Sequence, residues 1–181
     1  EWLMEKLSNK RGRKSERQNS RTRAQIIETA ADVLVERGWD KFSMRELAVR
    51  LGVTSMMPYR HFPNKNALFA SVQLRMFDVF GAYLEDEVNT EHDPKGRFRA
   101  ACLAYVQFGT ERQAEYDFIF DLWSDADFNA VITEYGEDTL SMTRSWKVLV
   151  ACVKELADKS SPGDQIERQA HFVWLGLHGL V

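Results

Sequence analysis

The sequence predicts an all-α protein with a small N-terminal helical domain and a larger helical body. Three observations carry this. Apolar residues return every three or four positions through most of the 181 residues, the period of a helix with one buried face. No run alternates apolar and polar residues between hairpin turns, so strands are not expected. Charge is divided along the chain: residues 1–65 hold fourteen Lys and Arg against eight Asp and Glu, and with a net charge of −3 for the whole the remainder carries −9.

The elements follow in order. Ile26, Ile27, Ala30, Ala31, Leu34 and Val35 form one apolar stripe and place a first helix over about 22–37. Gly38 ends it, because glycine enters the left-handed region without strain. Ser43 opens a second helix over about 43–50, and Glu46 three residues on completes a capping box. Leu47 and Leu51 face inward, and the small Ala48 lets a neighbouring helix cross closely. Gly52 makes the turn, Val53 fills the corner, and Thr54 caps a third helix over about 54–61. Two short helices crossing this way leave the second free to enter a DNA major groove. Pro58, fourth in that helix, has no N–H and crowds the Thr54 carbonyl, so the helix starts later or winds tighter than usual.

Asn64 caps a long helix lined by Leu68, Phe69, Val72, Met76, Phe77, Phe80, Tyr83 and Leu84. Its free N–H groups, with Lys65 beside them, offer a seat for phosphate, and its far end runs into the body. Asp93-Pro94 opens the next helix as cap and first-turn proline, with Phe98, Cys102, Tyr105, Val106 and Gly109 on its inner side. A short aromatic helix is expected over about 115–123 and another over about 128–158, broken near Gly136. Ser160-Ser161-Pro162-Gly163 is a loop and Asp164 starts the last helix.

Composition narrows the function classes. Hydrophobic residues make up 44% and charged residues 28%, as in soluble globular proteins. No apolar run reaches the roughly 18–20 residues of a membrane span, and Glu1–Leu7 is too short and charged for a signal core. Cys102 and Cys152 sit among apolar neighbours and read as buried small hydrophobes in a reducing cytoplasm. Without a Gly-rich phosphate loop, a nucleophile beside a base or zinc spacing, neither an enzyme nor a cofactor is expected. Between Lys10 and Arg23 stand seven basic residues and one acid. Residues 1–21 therefore read as a flexible basic arm, and a basic front on an acidic body aims its field at a polyanion.

Residues Thr22–Leu68 resemble the DNA-binding domain of TetR/AcrR-type transcriptional regulators. The matching pieces are the Ile-Ile…Ala-Ala helix ending in Glu36-Arg37-Gly38, Leu47-Ala48 through Leu51-Gly52-Val53, and Tyr59-Arg60-His61-Phe62-Pro63-Asn64-Lys65. Phe172–Leu180, with Trp174 and His178-Gly179, resembles the Trp…His-Gly segment of one subgroup of that family's ligand-binding domains, and Ala104–Phe108 and Tyr116–Phe120 fit its middle helices. The resemblance implies a repressor that binds a pseudo-palindromic double-stranded operator as a homodimer and is released by a small-molecule effector. It implies three segments: arm 1–21, helix-turn-helix domain 22–68, and effector-binding and dimerisation body 69–181. It also implies one more helix after the last one read here.

By the same resemblance, Thr54–His61 is the recognition helix. Arg45, Thr54, Ser55, Met56 and Met57 face base edges, while Tyr59, His61 and Lys65 touch phosphates; Arg21, Arg23, Ser43 and Arg60 complete the DNA-binding set. In the body, Tyr105, Phe108, Phe120, Trp123, Trp146 and Trp174 can build an aromatic cavity for the effector. His178, on one face with His171 and Trp174, lines that cavity or the subunit interface. Two other readings stand beside this one: an architectural DNA-binding protein that answers to no metabolite, and an enzyme using the aromatic cavity.

A methionine at the tip of the recognition segment implies contact with thymine methyls rather than hydrogen-bond readout. Met56→Ala is therefore expected to change base preference at a T-containing position in a site-selection experiment; an unchanged preference would refute that contact.

Overall fold

The computed structural model describes residues 2–120, 143–158 and 160–181, with side chains from residue 17 onward. Among these, every regular element is a helix: α1 (Trp2–Arg37), α2 (Met44–Leu51), a 3₁₀ turn (Pro58–Arg60), α3 (Lys65–Val88), α4 (Pro94–Glu111), α5 (Gln113–Phe120), α6 (Arg144–Leu156) and α7 (Gly163–His178). None of the described helices is long and apolar enough to cross a membrane. The chain forms two compact units, one ending at Val72 and one beginning at Gln73.

In the first unit α1 packs on α2. Ile26, Ala30, Val33 and Leu34 on one side and Met44, Leu47 and Ala48 on the other are all buried, as are Phe42, Phe62, Leu68 and Phe69. The expected stripe is thus the observed core, with Ile27 and Val35 half-buried at its edges. The start of α1 differs from expectation. Instead of opening near Thr22 behind a flexible arm, the helix runs unbroken from Trp2. The physical reason lies in composition: residues 2–21 contain no proline. Their Lys, Arg, Glu and Gln are good helix formers, and the single Gly12 costs only about 1 kcal/mol.

The second unit is built around α4, which packs against α5, α6 and α7, while α6 also packs on α7. Asp93 caps α4 by accepting from the N–H groups of Lys95 and Gly96, each at 3.0 Å, and Pro94 follows in the first turn as expected. Leu149 and Val153 of α6 meet Ile166 and Ala170 of α7, with Trp146, Val150, Val173 and Trp174 around them. Of the helix expected over 128–158, α6 is the described part; the break near Gly136 lies outside the described residues, as does the end of the helix expected over 115–123.

Gly81 lets α3 and the start of α6 approach closely. A methyl group there would stand 2.5 Å from the Ser145 nitrogen and 2.6 Å from Arg144 Cβ. Arg144 also pairs with Glu85, one turn along α3. Because backbone lies in the way, Gly81→Ala is expected to destabilise the protein by about 1–3 kcal/mol, read as a lower urea midpoint at unchanged slope. A midpoint equal to that of the unaltered protein would show that the two helices part without cost.

Candidate nucleic-acid interface and body site

Two left-handed glycines frame the exposed surface of the first unit. Gly38 (φ +75°) closes α1 by donating to the Leu34 carbonyl at 2.8 Å, and Gly52 (φ +66°) ends α2. Side chains with a Cβ rarely adopt this backbone. Ser43 Oγ accepts the Glu46 N–H at 3.1 Å, which is one half of the expected capping box. The other half does not form, because the Glu46 carboxylate pairs with Arg37 at 2.6 Å instead. Arg50 grips Glu36 with both terminal nitrogens, one at 3.0 Å. That hydrogen-bonded pairing holds the Glu36 carboxyl below its ordinary pKa and raises that of Arg50. Exposed pairs like these contribute little stability each, but both tie α2 to the end of α1.

The recognition segment is shorter than expected. Thr54 does not cap a helix with its side chain; its carbonyl accepts from the Met57 N–H at 2.9 Å. The Arg60 N–H then donates to Met57 O at 3.1 Å, and those of His61 and Phe62 both donate to Pro58 O at 3.0 Å. Pro58 has no N–H for the four-residue bond back to Thr54, so the chain closes one residue early. A turn and a single 3₁₀ turn replace the helix expected over 54–61. Pro58 and Phe62, both buried, hold it from beneath.

The predicted DNA-binding residues divide into two groups. Arg21, Arg45, Thr54, Ser55, Met56, Tyr59 and Arg60 are exposed, Met56 at 67% and Tyr59 at 45%. Ser43 is exposed but already engaged as a cap, and Met57 and His61 are half-buried. Arg23 turns inward: its guanidinium donates to Ser71 Oγ at 3.0 Å and lies 4.7 Å over the Phe62 ring. Lys65 Nζ donates to the Trp39 carbonyl at 2.8 Å and sits 3.7 Å over the Trp39 ring. Burial lowers its pKa, with Asp40 opposing. The start of α3 is partly satisfied from within as well, since Asn64 Oδ1 accepts the Ala67 N–H at 2.8 Å.

Sequence reasoning missed Trp39 and Val49. Trp39 stacks edge-on against Phe69, centroids 4.3 Å apart, and completes the Lys65 seat. No periodic pattern covers a loop residue, so nothing marked it. Val49 is 74% exposed and stands one turn after Arg45. The register of α2 puts it on the outer face, and that signal was available.

In the second unit four of the residues expected to line an aromatic cavity, Tyr105, Phe108, Phe120 and Trp174, pack with neighbouring rings around Phe120. Its ring centroid lies 4.7 Å from Tyr116, 4.9 Å from His178, 5.6 Å from Phe77 and 6.4 Å from both Tyr105 and Trp174. Phe108 joins through Phe80, at 4.7 Å. One polar knot lies within it: His178 Nδ1 is 2.6 Å from Tyr116 Oη and 3.3 Å from Tyr105 Oη. Burial pushes the Tyr105 pKa far up and keeps its hydroxyl neutral. Trp146 does not belong to this cluster. It packs in the α6–α7 seam, its ring 4.3 Å from that of His171. Trp123 lies outside the described residues.

Comparison with known proteins agrees with this layout. Residues 26–72 match the family model described as bacterial regulatory proteins, tetR family. Residues 98–181 match the model described as a tetracyclin repressor-like C-terminal domain. Over 113 residues the chain is 32% identical to the HTH-type transcriptional activator FasR of Mycolicibacterium smegmatis, covering 62% of this chain and 51% of that protein. The chain thus spans about half the length of this relative. A protein of unknown function from Rhodococcus sp. RHA1 has a similar structure, with a TM-score of 0.62 at 26% identity over 87% of this chain and 79% of the other. A bacterial regulatory protein in the tetR family from Rhodococcus RHA1 shares the fold at a TM-score of 0.54 and 20% identity, over 87% and 82% of the two chains.

The two groups of residues should separate on substitution. Lys65→Met removes a hydrogen bond and a cation–π contact, and is expected to lower the stability of the first unit by about 1–2 kcal/mol in urea denaturation. Arg45→Met, on the open surface, should stay within about 0.5 kcal/mol of the unaltered protein. Equal effects would contradict the division.

Proposed function

This chain belongs to the tetR family of bacterial regulatory proteins, and from that premise we propose that it is a homodimeric transcriptional regulator whose hold on its operator is set by a small molecule bound in the body. The observation that carries the reading is the exposed group Arg45, Thr54, Ser55, Met56, Tyr59 and Arg60 on a tightly braced first unit. Arg45 is the strongest base reader, since a bidentate Arg–guanine contact is worth about 1–3 kcal/mol of discrimination. Met56 and Met57 meet apolar base edges, and Arg21, Tyr59 and His61 fix register on the phosphates. Lys65 serves the interface by bracing it, and any phosphate it meets shares the ammonium with Trp39.

The dimer is supported by the outer face of α7. Ile166, Ala170 and Leu177 are buried on its inner side, whereas Phe172 is 75% exposed and Leu175 58%, with Leu180 just beyond the helix at 69%. A second copy covering this face makes a homodimer, and a homodimer of such regulators presents two recognition segments to successive major grooves of a pseudo-palindrome. The effector sits at the Phe120 cluster and changes DNA affinity only by its differential affinity for the two states of the protein. Release on binding makes the protein a cytoplasmic repressor. The name of the FasR relative, a transcriptional activator, favours the opposite sign as a second reading, and a reporter placed behind the selected operator decides between them.

The purified protein, offered a random duplex pool, is expected to retain a two-fold symmetric motif. Its affinity for that motif should fall steeply with salt, as counterions are released from the phosphates. Retention without any motif would overturn operator reading and leave an architectural protein.

A further inference from the structure

One buried polar group lies beside the aromatic cluster without a complete set of partners. Gln73 of α3 is 1% exposed. Its Nε2 donates to the Ile119 carbonyl in the last described turn of α5, at 3.2 Å. Its Oε1 is buried and accepts no hydrogen bond. An orphaned buried acceptor destabilises the fold, and an apolar side chain of the same length would avoid that penalty. The position is also specific. Gln73 stands one helical turn before Phe77, which packs edge-on against Phe120 at 5.6 Å, and it is bonded to the residue that precedes Phe120. An unanswered acceptor thus stands on the residue one turn before Phe77 and bonded to the neighbour of Phe120, and the Tyr105–Tyr116–His178 knot lies within the same cluster.

A full cation is not the best match for this arrangement: an aromatic wall attracts one, but the neutral Gln73 amide and the Tyr105 hydroxyl, held neutral by burial, offer no charge to neutralise it once buried. Carboxylates and phosphates do not suit it either, because a carbonyl oxygen repels an anion. The chemistry that answers an amide oxygen within an aromatic wall is an uncharged, ring-bearing molecule with one hydroxyl or N–H donor.

We propose that Gln73 is a specificity-determining residue of the effector site, its Oε1 accepting a hydrogen bond from the hydroxyl or N–H of a neutral aromatic effector seated against Phe77 and Phe120. This rests on the reading of the Phe120 cluster as the effector site. A site built to accept a hydrogen bond discriminates strongly against a ligand of the same shape that lacks the donor, because the buried acceptor then stays unpaired. Gln73 thereby selects among flat apolar molecules that the rings alone would hold equally well.

The test uses the whole protein and two probes of nearly equal shape: 2-naphthol, which donates a hydrogen bond, and 2-methoxynaphthalene, which cannot. Affinities are read by titration of tryptophan fluorescence, supported by thermal shift. In the unaltered protein the naphthol is expected to bind about tenfold more tightly than the ether. In Gln73→Met, which keeps length and volume, the two affinities should converge through loss of naphthol binding, while the ether's stays unchanged. Gln73→Leu is a second variant of different shape and should do the same, with circular dichroism confirming that both variants keep their helix content. Equal binding of the two probes to the unaltered protein, or a preference surviving in both variants, overturns the role of Gln73 and leaves the cluster as a binding site. If neither probe binds, the proposal falls together with the reading of the cluster on which it rests.

Discussion

The first unit depends on where one ammonium group sits. Trp39 leads the chain into α2, and Lys65 opens α3. The residues proposed to face base edges, Arg45 and Thr54 to Met57, lie between these two points, and Lys65 Nζ closes the loop by bonding the Trp39 carbonyl and resting on its ring. Phe69, one turn along α3, packs against the same indole. A cation on a partly dry aromatic face is worth about 0.5–2 kcal/mol, a large share of what a small helical unit has in reserve. It is also a geometric statement, because a stacked and hydrogen-bonded ammonium has one place to be. The ion pairs of Arg37 with Glu46 and of Arg50 with Glu36 then tie α2 to the end of α1 within a frame that is already closed.

The two units handle polar groups differently. In the first, buried or half-buried polar atoms find partners nearby: Arg23 on Ser71, Ser71 on the Ala67 carbonyl, Lys65 on Trp39. In the second, the polar atoms around Phe120 are gathered rather than dispersed, with two hydroxyls converging on one imidazole nitrogen and an amide oxygen left open. A domain whose only task is to hold its shape gains little from such a concentration, since unpaired buried groups cost stability. Sites that recognise small molecules commonly combine apolar walls with a few placed polar groups.

Much of this was legible in the sequence, and the failures have physical causes. The α1 stripe, the two left-handed glycines and the Asn64 and Asp93 caps follow from local rules of period and capping, which do not need the rest of the fold. Two expectations failed because a local rule met competition. Glu46 had both a capping partner and Arg37 within reach, and the ion pair won. Arg23 sat in a basic run yet turned inward, because a long apolar stem with a stacking guanidinium gains more over Phe62 than in water. Pro58 shows the reverse: its missing N–H was readable, and the tightened turn is the one it dictates. Trp39 and Gln73 went unread because their partners, Lys65 and Ile119, lie far along the sequence and only the folded chain brings them together; Val49 was readable from the register of α2.

The 3₁₀ turn at Pro58–Arg60 has a consequence for how much a half-site can say. Three residues per turn bring side chains at i and i+3 into line, so the segment offers a narrow ridge where an α-helix would offer a broad face. A ridge touches fewer base pairs, and each recognition element then carries less information than a full helix in the groove. On the proposed homodimeric reading, the discrimination missing from each half comes from elsewhere in the complex: from Arg45 and Val49 on α2, from the stiffness of the DNA between half-sites, and from the distance between two copies. A recognition segment of this form would then measure spacing more strictly than it spells sequence.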